Sequence, residues 1–195
     1  LIPLPRALED SMHGTMAGFE VVTARVRDAD GVEGVGYTFT CGVNGGAIAD
    51  ILGREMAPRV TGRDADLTEA IWKDLWWAFH YGGRGGPTVL ALSALDMALW
   101  DLRGKLWGQP VANLLGGIQR RQIPFTDYFS YRLPQGGVAG EASIAEVVDY
   151  CLDLRERFGT TWFEGKISDP DLQGNIALLQ ALRDALGPEA MLRAD

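Results

Sequence analysis

The chain has 195 residues, 47% hydrophobic and 23% charged, with a formal net charge of −8. That length supports one good hydrophobic core or two modest ones. The acidic balance argues against a nucleic-acid backbone as partner, because phosphate binding needs a basic surface. No run approaches the roughly 18 apolar residues of a membrane span. Two cysteines, Cys41 and Cys151, make neither a disulfide framework nor a zinc site, so the reading is a reduced, cytoplasmic protein. The start, LIPLPRALEDS, lacks the basic and apolar segments of a signal peptide and has no initiator Met. The end stops straight after an apolar run, so both ends read as cut from a longer chain.

In chain order, a hairpin comes first. Residues 19–27 mix β-branched and polar side chains, Asp28-Ala29-Asp30-Gly31 forms a turn, and residues 32–39 return. Three helices are predicted next. One spans about Ala47 to Ala57. The second starts at Asp66, where DLTE fits a capping box closed by Glu69. It carries Trp72, Trp76, Trp77 and Phe79, which read as core. The third starts after Pro87 and runs to Leu106; it is apolar on most faces and so is expected to be buried between two layers.

The rhythm then changes. Strand 123–129, helix 142–158, strand 160–167, helix 172–186 and strand 190–194 alternate. That order implies parallel strands with right-handed crossovers, either in an open sheet or as less than half of a (β/α)8 barrel. Chemistry in such folds lies at the carboxyl ends of the strands. Tyr128, Lys166 and Asp195 fall there. Glu164 and Lys166 share a strand face, two residues apart. They read either as a structural ion pair or as an acid–base group with a tuning partner. To act as a base near neutrality, Lys166 needs its pKa lowered from about 10.4 towards 7–8. Asp195 reads either as a cap for a following helix or as one ligand of a hard cation such as Mg2+.

Residues 91–117, ALSALDMALWDLRGKLWGQPVANLLGG, together with the hairpin Asp30-Gly31-Val32-Glu33-Gly34-Val35-Gly36-Tyr37 and the landmark Gly62-Arg63-Asp64, resemble the enolase superfamily in its mandelate racemase/muconate lactonizing enzyme branch. The resemblance implies an α+β N-terminal capping domain with its linking helix (1–118), followed by the first strands and helices of a (β/α)7β TIM-like barrel (119–195). It implies a Mg2+-dependent enzyme that abstracts the proton α to a carboxylate, with the resulting enediolate stabilised by the metal in a closed site. Dehydration of an aldonate or aldarate is the leading expectation. A racemase, epimerase or cycloisomerase of the same superfamily is the alternative, and a catalytically impaired relative a further one. Lys166 falls on the second lysine of the family's Lys-x-Lys, the base, and Asp195 on the first metal carboxylate. Glu164 stands where the family has the first lysine. A carboxylate there favours the charged ammonium instead of depressing its pKa. The capping loops, residues 8–17 with His13 and residues 37–46 with Tyr37 and Phe39, are expected to contact a small carboxylate substrate, as is Tyr128. His80, Tyr81 and Arg84 are placed near the domain boundary. Asp96 and Asp101 read as capping or interface ion pairs. A homo-oligomer is expected, and the 195 residues alone are expected to be inactive.

Overall fold

The computed structural model describes residues 1–10, 14–129, 141, 143–165 and 171–194. The chain divides into two compact units, residues 1–2 with 19–121 and residues 3–18 with 122–195. Among the described residues no helix is long and apolar enough to cross a membrane.

Strands β1 (Ile2–Asp10), β2 (Gly14–Arg27) and β3 (Glu33–Thr40) form a sheet in that order. The predicted hairpin is β2–β3, antiparallel, with Glu20 opposite Thr40 and Arg27 opposite Glu33. Asp28 closes its turn by accepting the Val32 N–H through Oδ1 at 2.7 Å. Gly31 supplies the left-handed backbone at φ 90°. Residues 8–10 and 14–17, expected as loop, are strand instead. Pro3 and Pro5 argue against a strand in sequence, yet an outer strand tolerates prolines because one side of its backbone needs no partner.

One face of this sheet carries Gly34, Gly36 and Thr38, all buried. Helix α4 (Pro87–Leu106) lies directly on it. A Cβ on Gly36 would sit 2.0 Å from the Ala94 carbonyl oxygen, and one on Gly34 2.1 Å from that of Ala98. The helix meets the strand backbone to backbone, which only glycine allows. Its other flank, Leu92, Leu95 and Leu99, joins Ile48, Met56, Val60, Ile71 and Leu75 in the core. The helix is thus covered on two sides, as its apolar pattern predicts.

The first predicted helix is a longer run: α1 (Gly45–Asp50), a π turn (Ile51–Met56) and α2 (Ala57–Val60). The Ala57 N–H bonds to the Leu52 carbonyl, five residues back. Pro58, next in sequence, has no N–H to continue the α pattern. The second helix, α3 (Thr68–Ala78), does not use Asp66 as its cap. Asp64 caps a preceding 3-10 turn by accepting the Asp66 N–H at 2.9 Å. The Asp66 carboxylate is taken instead by the Trp107 indole N–H at 3.0 Å, with Arg103 Nε 3.8 Å away. The aromatic cluster on α3 is not simply core. Trp77 is 58% exposed and Trp72 stacks on Trp76 at 5.1 Å, while the Arg84 guanidinium lies over Trp76 and Trp77. A short helix, α5 (Val111–Leu114), follows.

The second unit contains β4 (Asp127–Phe129), α6 (Ile144–Phe158), β5 (Trp162–Gly165), α7 (Leu172–Leu186) and β6 (Met191–Ala194). The strands are parallel in the order β4-β5-β6. Strand β4 is shorter than the predicted 123–129; Ile123 and Phe125 are exposed and outside it. Ser143 and Glu146 cap α6 reciprocally, and Gly159 ends it in the left-handed region. Phe129 and Phe163 are fully buried among Val147, Cys151, Leu178 and Leu182, so both helices cover one face of the sheet.

Candidate active site

Successive residues of a strand point to opposite faces. With Phe163 turned into the helices, Glu164 lies on the other face of the parallel sheet. Tyr128 and Arg193 are its register partners on β4 and β6, so the three form one row across the strands. Glu164 Oε2 is 3.3 Å from Arg193 Nη1. The pair is substantially exposed, where such contacts contribute little stability. The Glu164 carboxylate thus has a guanidinium as its neighbour across the strands. Sequence reasoning missed Arg193. The available signal was MLRAD, in which Arg193 precedes Asp195 by two residues, the spacing that shares a face in an extended strand. Nearby, the buried Thr160 hydroxyl donates to Asp127 Oδ2 at the start of β4.

Lys166, Asp195 and His13 lie outside the described residues. Among the described residues no group of three His, Cys, Asp or Glu side chains gathers around a point that could hold a metal.

Tyr37 and Phe39 belong to the first unit, and so are not part of the Tyr128–Glu164–Arg193 row. They project from β3 on the face away from α4, 57% and 55% exposed. Phe19 packs edge-on against Phe39 with ring centroids 5.6 Å apart. On the opposite face, at the end of β3, Glu20 accepts the Thr40 hydroxyl at 2.7 Å and the Gly45 N–H at 2.9 Å, both through Oε2. These two bonds hold the Glu20 carboxyl below its usual pKa. Residues 41–44 between the two anchors are exposed.

The aspartates of α4 differ. Asp101 accepts Lys105 Nζ at 2.6 Å and the Val35 N–H at 2.8 Å, which lower its pKa. It ties α4 to β3 within one unit. Burial raises the pKa of Asp96. The first unit also contains an open cavity of about 770 Å³ between β2, the helical run and α4, with Val22, Val26, Leu52, Val60 and Leu99 among its lining. None of the predicted site residues lines it.

Residues 5–116 match the mandelate racemase/muconate lactonizing enzyme N-terminal domain family. The 3,6-anhydro-α-L-galactonate cycloisomerase of Streptomyces coelicolor is 36% identical, over 100% of this chain and 51% of the relative. A crystal structure of a racemase from Streptomyces coelicolor with bound magnesium has a TM-score of 0.84 and 37% identity, covering 100% of this chain and 52% of the other. The L-talarate/galactarate dehydratase of Salmonella typhimurium, liganded with Mg and L-lyxarohydroxamate, has a TM-score of 0.85 and 29% identity, with 100% and 48% coverage. This chain therefore spans about half the length of the relatives it matches.

Proposed function

This chain belongs to the mandelate racemase/muconate lactonizing enzyme family, and we propose that its protein removes the proton α to the carboxylate of a sugar acid and then expels the β-hydroxyl as water. Its fold is the α+β capping domain followed by the first part of the (β/α)7β barrel. We set the boundary between them near residue 118.

The observation that carries the reading is one of position. Strand β5 ends at Gly165 and β6 at Ala194, and the next residues in sequence are Lys166 and Asp195. In a parallel barrel the carboxyl ends of the strands deliver the chemistry. Lys166 takes or returns the α-proton, Glu164 tunes it, and Asp195 is one magnesium ligand. A carboxylate oxygen is the donor that this hard cation prefers. When bound, the magnesium supplies positive charge for the oxyanion that develops as the proton leaves. Arg193 offsets the Glu164 charge, so Glu164 acts on Lys166 as half of a neutral pair. Tyr128, Tyr37, Phe39 and His13 contact the substrate. The dehydratase relative crystallised with magnesium and a sugar-acid hydroxamate supports this class. A homo-oligomer is proposed from the family resemblance.

A second reading, cycloisomerisation, is favoured by the 36% identity to the Streptomyces coelicolor cycloisomerase along the whole chain. Both readings begin with α-proton removal and part at the product.

The test is solvent deuterium exchange at the α-carbon, followed by NMR in the full-length protein with Mg2+. Loss of water from an aldonate or aldarate supports dehydration; an isomer of unchanged mass supports the second reading. Lys166→Ala should slow exchange about 10²–10⁴-fold with metal still bound. Asp195→Asn should weaken Mg2+ binding by calorimetry. Exchange at the wild-type rate in K166A would assign the base elsewhere, and unchanged Mg2+ affinity in D195N would remove Asp195 from the metal.

A further inference from the structure

Strand β3 is the outermost strand of its sheet, with β2 on one side only. A charge, a proline or a bulge is the usual local device by which an outer strand resists pairing with another chain. From Gly34 to Thr40 the strand has no charge and no proline, and its register with β2 runs without a bulge. Val35, Tyr37 and Phe39 are also strand-forming residues with exposed side chains.

Two side chains of α4 reach that edge instead. In an antiparallel strand, alternate residues turn both backbone polar groups away from the partner. Glu33 and Val35 do so here. The Val35 N–H donates to Asp101 Oδ2 at 2.8 Å, and the Glu33 carbonyl oxygen accepts Lys105 Nζ at 2.8 Å. Lys105 Nζ also donates to Asp101 Oδ2 at 2.6 Å, so the two side chains, about one helical turn apart, act as one unit. That unit offers the edge one acceptor and one donor, as a neighbouring strand would. Gly34 and Gly36 bring the helix close enough for it to do so. Tyr37 and Phe39 face the same way and take no bond on that side among the described residues.

We infer that Asp101 and Lys105 together close the outer edge of β3 against strand addition by a second copy of this chain. Two like edges meeting antiparallel about a two-fold axis are self-complementary, so a second copy is the partner that fits. The pair occupies the start of the edge. It leaves open only Tyr37 to Phe39, at the short end for a strand.

The test uses the full-length protein. In the wild type, the Val35 amide should be protected from hydrogen exchange about tenfold or more over those of Tyr37 and Phe39, as a bond to a charged acceptor gives. Equal protection would overturn the inference without any variant. Asp101→Ala combined with Lys105→Ala should form species larger than the wild-type assembly as concentration rises in sedimentation velocity. The Val35, Tyr37 and Phe39 amides should then become protected together. Asp101→Ala alone should associate to a lesser degree, and covers the case in which the double variant does not fold. Asp101→Asn, whose amide oxygen still accepts the Val35 N–H, should sediment as wild type. Ile71→Val removes one methyl group from the core of the same unit and controls for general destabilisation. Adding Val35→Pro to the double variant removes the outward donor and should abolish the larger species. The inference is overturned if the alanine variants sediment as wild type at every concentration, or if I71V associates equally. It is also overturned if larger species form without protection at residues 35, 37 and 39, or persist with Val35→Pro.

Discussion

The two sheets of this chain solve opposite problems. The antiparallel sheet of the first unit has one face pressed on α4 through Gly34 and Gly36, and the other face carries exposed apolar side chains. The parallel sheet of the second unit is packed by the large side chains Phe129 and Phe163, and its other face carries Tyr128, Glu164 and Arg193. Packing by backbone contact leaves no side chain to trim and no room for one more. Packing by large side chains tolerates adjustment but loses much when one is removed. Both free faces are mixed: Arg25, Arg27 and Glu33 pair beside Val35, Tyr37 and Phe39 on the first, and Trp162 and Met191 flank Glu164 and Arg193 on the second.

The comparison can be broken most sharply at Phe163. Phe163→Ala should cost about 3–5 kcal/mol by urea denaturation, because its ring is fully buried against α6 and α7. A loss below about 1 kcal/mol would mean that side-chain packing does not hold the parallel sheet. The first sheet should fail by addition. Gly36→Ala places a methyl group against the Ala94 carbonyl and should cost about 1–3 kcal/mol. Gly46→Ala, whose Cβ would meet nothing, is the control and should be neutral or slightly stabilising.

Acid should separate the units further. Glu20, Glu33 and Asp101 all have lowered pKa values, chiefly from the Thr40 hydroxyl, Arg27 and Lys105 respectively. A depressed carboxylate contributes stability that is present above its ordinary pKa and lost as pH falls through the depressed one. The first unit should therefore weaken as pH drops below 4.5 for the glutamates and 3.8 for Asp101. Asp96 has the opposite sign: its raised pKa marks a cost above that value which acid relieves. Denaturant midpoints between about pH 5 and 3, followed by tryptophan fluorescence, read this, since five of the six tryptophans lie in the first unit. A flat profile would mean that these bonds do not persist in solution. The smallest effect is expected at Arg193. Arg193→Ala should change stability by no more than about 0.2–1 kcal/mol, as for other exposed pairs. A larger loss would show that the charged row is structural.

Much of the fold is legible in the sequence where local signals agree. Helix α7 has the predicted ends, because its apolar period, the Asp171 cap and Gly187 coincide. The misreadings occur where distant residues intervene. Asp66 looks like a cap until Trp107, 41 residues away, claims its carboxylate. Strand β1 hides behind two prolines that matter less in an outer strand. The aromatic run on α3 reads as core by composition, yet Trp77 is left to Arg84 and His80. Within the candidate site, Glu164 is visible as a departure from a pattern, but its nearest charge is not. Register between β5 and β6 decides that, and register depends on how two strands 29 residues apart pair.

The contact between β3 and α4 also sets a schedule for synthesis. Gly36 waits for Ala94, which leaves the ribosome 58 residues later. At roughly 5–20 residues per second, that interval is about 3–12 s. Throughout it, the β2–β3 hairpin has both faces uncovered and its core side chains Val22, Ala24 and Val26 exposed to other chains. A translational pause before residue 106 would lengthen the exposure, and a faster message would shorten it. Yield of soluble protein should therefore respond to codon choice between residues 40 and 106 more than to choice after them.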